Sequence, residues 1–293
     1  MSAGPNVHAA CLAWRRVDFT LTDAPDAAAV AQLGRESGAP WNAAEVARRL
    51  ALARAWGAID AHGRTVGFAT LIEYGDDLAW LGSVFVHPDA RGHDIAGALT
   101  DAALDAAGNR TVGLDASNAG KPLYDKRGFR AVATGHEWTR DPTTPRPPPG
   151  PSAGCALYPV SSCEIMELFD YDRPRWGVGR APLLADCIGR APLQSFVAVD
   201  RQTRAFAGFV MGASDGIGPL CADSAEAAAW LLHAAERAGA YPSGGALDGE
   251  PIIDVLRAAG YQPSKWQITR MVRGGDLPMR EGLWRMVDTF AFG

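Results

Sequence analysis

Twelve residues near the middle of the chain, Asp141 to Ser152 (DPTTPRPPPGPS), limit the fold more than any other stretch. Each of its six prolines lacks an N–H and holds φ fixed, so neither a helix nor a sheet ladder can run through it. An extended polyproline spacer is what such a segment forms. A proline-rich ligand for a separate domain has the same composition, but the position between two patterned segments reads as a linker. At 293 residues the chain is long for one core and suits two domains. With 47% hydrophobic and 21% charged residues it has the apolar material for both. The expected division is a flexible tail over 1–14, a first domain over 15–140, a linker over 141–154 and a second domain over 155–293.

Before the spacer, hydrophobic period and turn residues predict a strand over Val17–Leu21, helices over Pro25–Arg35 and Asn42–Ala53, and a strand over Trp56–Asp60. Strands over Thr65–Tyr74 and Leu78–Val86 follow as a hairpin around Gly75-Asp76-Asp77. A loop, a helix over Ile95–Ala107, a strand over Thr111–Asp115, a short helix over Lys121–Arg127 and a strand over Thr134–Thr139 complete a mixed α/β layout. The second half repeats the plan. Val66-Gly67-Phe68-Ala69 aligns with Ala207-Gly208-Phe209-Val210, and Lys126-Arg127-Gly128-Phe129 aligns with Ala258-Ala259-Gly260-Tyr261. Between these anchors, Gly216–Leu220 and the alanine-rich helix Ser224–Ala238 stand where Leu81–Val86 and Ile95–Ala107 stand in the first half, and the alanine-leucine stripe of that helix reads as core.

Chemistry concentrates in Leu81–Leu99, LGSVFVHPDARGHDIAGAL, which reads strand, loop, helix. A loop of this kind leaves backbone N–H groups unpaired at a helix N-terminus, together with the positive end of the helix dipole, and so attracts phosphate. Gly92, Ala96 and Gly97 let an anion approach the backbone, and the Arg91 guanidinium can pair with it. The G-x-G-x-x-G pattern of dinucleotide sites is missing, as is the Gly-Lys-Ser/Thr of a P-loop.

With Val86, Pro88, Arg91, Gly92 and Ala96 in register, the loop resembles the V-x-P-x-x-R-G-x-G-x-G/A loop of the GNAT superfamily of N-acetyltransferases. Downstream, Leu114 through Phe129, ending Leu123-Tyr124-Asp125-Lys126-Arg127-Gly128-Phe129, is similar to the family's closing L-Y-x-x-x-G-F. The linker and second half look like tandem GNAT proteins of the YitH/HsdA type with a degenerate C-terminal domain. The weaker echoes there are Ile217–Leu220, Thr269–Gly274 and Thr289–Gly293. The fold implied is α/β, two GNAT-like domains each with a mixed, mostly antiparallel central sheet flanked by helices.

By that resemblance acetyl-CoA is the cosubstrate. Val84, Phe85 and Val86 would pair with the pantetheine arm, and Arg91, Gly92, His93, Asp94, Ile95, Ala96 and Gly97 would hold the phosphates. Ser117 and Asn118 would stand near the pantetheine, or serve as an ordinary strand cap. Tyr124 would bind near the thioester and protonate the departing thiolate, which a phenol of pKa about 10 can do. Glu73 is the candidate general base, with Asp76, Asp77 and His87 as alternatives, and His93 reads as a loop residue. One position departs from the family: Asp94 stands where glycine is usual. A carboxylate 4 Å from a phosphate, at an effective dielectric of about 20, is opposed by about 4 kcal/mol. Asp also tolerates unusual backbone angles and could turn inward to cap the helix, which would keep the loop's shape.

In the second half Leu220 passes through Cys221-Ala222-Asp223 straight into the helix near Ser224, so no counterpart of Arg91-Gly92 exists and no CoA site is expected. Trp176 with Arg173, Arg175 and Arg180 could cover the substrate, or be a surface patch without function. A net charge of −5 gives no basic excess to hold nucleic acid. Five scattered cysteines and six histidines show neither disulfide nor zinc spacing, so no metal is expected. No signal-peptide core or membrane-length apolar run is evident, and a cytoplasmic location is expected. The function expected is acetyl transfer to a primary amine of a small molecule or amino acid. The alternatives are a non-catalytic sensor of acyl-CoA or a small ligand, and a scaffold with a relic fold. No nucleic-acid or membrane partner is expected; a homodimer is allowed.

Overall fold

The computed structural model describes residues 18–39, 41–150, 154–162, 165–287 and 289–291. The expected tail, Pro151 to Ala153 of the spacer, and Phe292 and Gly293 of the closing echo lie outside them. In the first half the elements are β1 (Phe19–Thr22), α1 (Ala27–Glu36), α2 (Ala43–Leu52), β2 (Arg54–Asp60), β3 (Thr65–Tyr74), β4 (Leu78–Val86), α3 (Ile95–Ala107), β5 (Thr111–Ser117), α4 (Lys121–Asp125) and β6 (Arg130–Thr139). The second half carries β7 (Cys155–Pro159), α5 (Ile165–Trp176), α6 (Ala181–Arg190), β8 (Phe196–Asp200), β9 (Phe206–Ala213), β10 (Gly216–Ala222), α7 (Ala225–Arg237), β11 (Ser243–Leu247), α8 (Ile252–Ala258), β12 (Gln262–Arg273) and β13 (Trp284–Met286). Short polar side chains start the helices. Asp26 Oδ1 accepts from the Ala29 amide at 2.8 Å ahead of α1, and Asn42 Oδ1 accepts from the Glu45 amide at 2.9 Å ahead of α2.

The strands form an eight-stranded sheet in the order β1-β2-β3-β4-β5-β12-β6-β11 and a five-stranded sheet in the order β13-β10-β9-β8-β7. Among the described residues only β4 and β5 pair in parallel; the other pairings are antiparallel. The large sheet mixes the halves reciprocally. β12, from the second half, lies between β5 and β6, pairing Ile268–Arg273 with Ser117–Val112 and Gln267–Val272 with His136–Arg130. β6, from the first half, lies in turn between β12 and β11, where Thr139–Gly135 meet Ser243–Leu247. At this exchange Arg270 of β12 reaches Asp115 of β5 in a two-pronged pair of 2.9 and 2.7 Å, both side chains buried. Asp115 holds the buried guanidinium in its charged form, and the guanidinium lies 4.8 Å from the Trp80 ring centre.

The two glycine-aromatic repeats occupy equivalent places. A Cβ on Gly67 of β3 would stand 2.6 Å from Ile95 and 3.0 Å from Leu99 of α3. One on Gly208 of β9 would stand 2.8 Å from Leu231 of α7. In each half the glycine lets the long helix settle on the sheet. The adjoining Phe68 and Phe209 are wholly buried on the other face. The stripe Ala227, Ala228, Leu231, Leu232 and Ala235 of α7 is core. The spacer is fastened to this helix: Arg140 and Arg146 both reach Glu236, at 2.8 and 2.7 Å, and the Trp230 indole N–H donates to the Gly150 carbonyl at 3.2 Å.

Candidate active site

β4 and β5 pair only where Leu78–Trp80 meet Thr111–Gly113. Past this point β5 turns to β12, and Leu81–Val86 keep β3 as their strand neighbour on one edge only. An extended ligand along the other edge can be hydrogen-bonded as an added strand would be. At the opening the β3–β4 register slips, so that Ser83 and Val84 together oppose Ala69. Ser83 takes a left-handed φ of 52°, and its buried hydroxyl has no hydrogen-bond partner. Such a conformation costs about 1–3 kcal/mol and marks a place that the surrounding packing enforces. The interruption of an apolar strand by Gly82-Ser83 was the available signal for it. Val84 and Val86 turn toward the core under α3, while Phe85 turns to the opposite face, 4.4 Å from the Trp41 ring centre.

The strand ends in a loop that delivers α3 with its first turn exposed. Gly92 has φ 81° and open space around it, and the exposed Arg91 donates from Nε to the Val86 carbonyl at 3.4 Å. Asp94 precedes the helix at φ 59° and ψ 20°, and its side chain makes no capping bond. Its carboxylate lies instead across Gly97, beside the Arg127 guanidinium; a Cβ on Gly97 would strike the carboxylate and stand 2.6 Å from Arg127 Nη2. Glycine at 97 is what lets the two charges meet. Asp101 of α3 holds Arg127 at 2.6 and 2.9 Å, and Asp94 adds to the negative field that stabilises its charge. The inward cap expected of Asp94 is therefore replaced by a turn toward a cation. The Asp94 side chain leaves the first-turn amides of α3 uncapped, the arrangement that a phosphate group fits, and His93 sits half-buried beside them.

Tyr124 of α4 is buried against the same core, 5.8 Å edge-on from Phe129. Burial pushes its phenol up to about 12, with nearby Arg127 opposing. It remains a proton donor across the whole neutral and moderately basic range. Ser117, at the end of β5, accepts from the Gly120 amide at 3.2 Å, so its hydroxyl secures the turn into α4; Asn118 beside it is exposed.

The base candidates are not gathered here. Glu73 lies by Arg110 at 3.5 Å and Arg54 at 3.8 Å, and Arg110 also donates to the Ala107 carbonyl. Glu73 thus sits at the C-terminal end of α3, the opposite end from the loop, about 20 Å away at 1.5 Å per residue. The hairpin places it there, opposite Ala79 and three residues along β4 from Gly82. Asp76 accompanies Arg110 at 3.8 Å, and Asp77 belongs to the same turn. His87 accepts the Asp89 amide on Nδ1 at 3.2 Å and points Nε2 at Glu36, 3.5 Å away. Both ring nitrogens thus face groups of this chain.

The corresponding junction of the second half is closed. Ser224 Oγ accepts from the Ala227 amide at 3.1 Å, capping α7 from within. Asp223 is held by Arg175 at 2.9 and 2.6 Å. β13 pairs with β10 and exchanges hydrogen bonds of 2.8 and 2.9 Å between Val287 and Gly245 of β11, so it wedges between the two strands that would otherwise part. Trp176 and Arg180 are buried rather than a surface cover. Arg180 stacks 3.5 Å over the indole and pairs with buried Asp172, while Arg173 alone is exposed. Among the described residues no group of three or more His, Cys, Asp or Glu side chains could hold a metal, and no helix is long and apolar enough to cross a membrane.

Residues 52–131 match the acetyltransferase (GNAT) domain family. No curated protein matches the chain in sequence. Among solved structures, a candidate acetyltransferase from Pyrococcus horikoshii is 18% identical with a TM-score of 0.78, covering 98% of this chain and 99% of its own. A GCN5-related N-acetyltransferase from Sphaerobacter thermophilus is 17% identical with a TM-score of 0.67 over 89% and 98%. A tandem GNAT protein from the clavulanic acid biosynthesis pathway is 17% identical with a TM-score of 0.58 over 89% and 99%.

Proposed function

We propose that this protein, whose residues 52–131 match the acetyltransferase (GNAT) domain family, transfers an acetyl group from acetyl-CoA to a primary amine of a small molecule or amino acid. The observation that carries the reading is the uncapped N-terminus of α3 at the end of an open strand edge, with a buried phenol close in the chain to the Arg127 that faces the same turn. When bound, acetyl-CoA supplies an activated acyl group on a thiolate leaving group. The amides of α3 and Arg91 would hold its phosphates, and Leu81–Val86 would fix the arm by backbone pairing. Tyr124 would give its proton to the departing sulfur. With Glu73 engaged by Arg110 and Arg54 and His87 by Glu36 and the Asp89 amide, the amine proton leaves to water, so the acceptor reacts as its free base. The second half, with its capped α7 and wedged β10, contributes walls rather than a second CoA site.

The distant base candidates favour one further reading, acyl-CoA binding without transfer. Both are tested by incubating the protein with acetyl-CoA and a panel of amines, amino acids and polyamines while following free thiol. Thiol release with at least one amine, at a rate that climbs with pH along that amine's own ionisation, is expected. Micromolar binding with no acceptor-dependent release would leave a sensor.

A further inference from the structure

Resting on the acyl-transfer reading, we propose that Thr289–Ala291, brought from the second half, forms the far wall of the first-half cleft, keeping water from the thioester and limiting the acceptor to a small amine. Gly82 is the second residue of β4 past its last pairing with β5. A Cβ there would strike the Ala291 carbonyl oxygen and stand 2.9 and 3.1 Å from the Ala291 carbonyl carbon and Cα. Backbone meets backbone at the first open stretch of the strand, and glycine is the residue that permits it. One position earlier in the wall, the Phe290 carbonyl accepts from the Trp80 indole N–H at 3.4 Å.

Phe290 anchors the wall in the other half. Its ring is 9% exposed, packs with Trp176, Ile268 and Val287, and lies 5.8 Å edge-on from Trp266. A Cβ on Gly245 of β11 would stand 2.7 Å from that ring. One short segment therefore needs two glycines, Gly82 beside the opening of the first half and Gly245 on the wedged strand of the second. It lies on the side away from α3, because Leu81, Val84 and Val86 turn toward the α3 core while Trp80 turns to the core shared with α5 and α6. The phosphate loop is at the α3 side, so this other face is the one left for the acceptor, between the wall and Phe85 with Trp41.

The wall predicts an unwanted reaction when it is loosened. Water attacks the thioester carbonyl carbon, the C–S bond breaks, and the water's two protons end on acetate or solvent and on the CoA sulfur. Full-length Phe290→Ala removes the anchor without touching β4, and Gly82→Ala displaces the wall without touching the anchor. With acetyl-CoA alone as probe and at saturation, each is expected to release free CoA about tenfold faster than the parent, with Phe290→Ala keeping the parent's affinity. The double variant is expected to gain no more than the larger single effect, because both act through one segment. Flat hydrolysis in Phe290→Ala with acetyl-CoA bound and the melting transition kept overturns the wall alone. Additive gains overturn it too, since they assign the two glycine and phenylalanine effects to separate sites. A parent protein that does not bind acetyl-CoA removes the acyl-transfer reading and the wall with it, an outcome told apart by the binding measurement.

Discussion

Two helices, α3 and α7, begin just after a β-strand and settle on a glycine of the neighbouring strand, yet their first turns are treated in opposite ways. Ser224 caps α7 from within and Asp223 is tied to Arg175, so the turn is finished. Ahead of α3, the Asp94 carboxylate lies over Gly97 on the side of Arg127, makes no cap, and leaves the amides for a visitor. The same asymmetry recurs in the sheets, where β13 fills the second parting of strands and leaves the first open. The packing of a long helix on a strand glycine is thus common to both halves, while the helix start left uncapped by its leading residue belongs to the first. What separates them is the loop of residues 87–94 ahead of α3, which α7 lacks, and the polar side chains at each helix start.

The contrast can be broken most severely at the joint the halves share. Arg270→Met leaves the Asp115 carboxylate buried without its partner and is expected to cost about 3–5 kcal/mol, read from urea unfolding. A loss below 1 kcal/mol would mean that the exchange does not depend on this pair. Next comes the proton donor. Tyr124→Phe should lower turnover about a hundredfold while acetyl-CoA affinity stays within twofold. The phenol's raised value means that it keeps its proton, and its donor role, until the pH climbs through about 12. The parent's rate profile should therefore show no falling basic limb below that region; a limb near pH 10 would assign the donor elsewhere.

Smaller effects test the helix starts themselves. Arg91→Ala should weaken acetyl-CoA binding about tenfold by titration calorimetry. Its opposite number, Ser224→Ala, should leave that affinity alone and cost about 1 kcal/mol of stability instead. Loss of affinity in the second variant would mean that α7 also meets the cofactor. Least is expected of Asp94→Gly, no more than about a threefold gain in affinity, because Arg127 already offsets the carboxylate. A gain of a hundredfold would show the charge to be exposed to the phosphates after all.

Hydrophobic period and turn chemistry located the elements well where they act locally. The hairpin strands Thr65–Tyr74 and Leu78–Val86 and the helix Ile95–Ala107 have the expected bounds, since Gly75, the loop glycine and Gly108 end them by backbone geometry alone. The strand expected from Thr134 starts at Arg130, because its first residues are paired by β12, more than a hundred positions onward. No local pattern announces a strand from another half. The loop and the helix start it delivers were legible for the same local reason. The fate of Asp94 was not, because its partner Arg127 comes from the following helix and their meeting requires Gly97. Nor were the partners of Glu73, since Arg110 reaches it from beyond the end of α3.

The exchange of β6 and β12 also sets a timetable during synthesis. When β5 and β6 leave the ribosome, the place between them stays empty until residue 273 has been made. At roughly 5–20 residues per second that interval is on the order of 10 s. For that long two strand edges and the apolar faces behind them wait unpaired, a window for a chaperone to occupy or for a neighbouring nascent chain to invade with its own β12. A cell that makes this protein faster than it shields those edges would collect intertwined chains before it collected inactive ones.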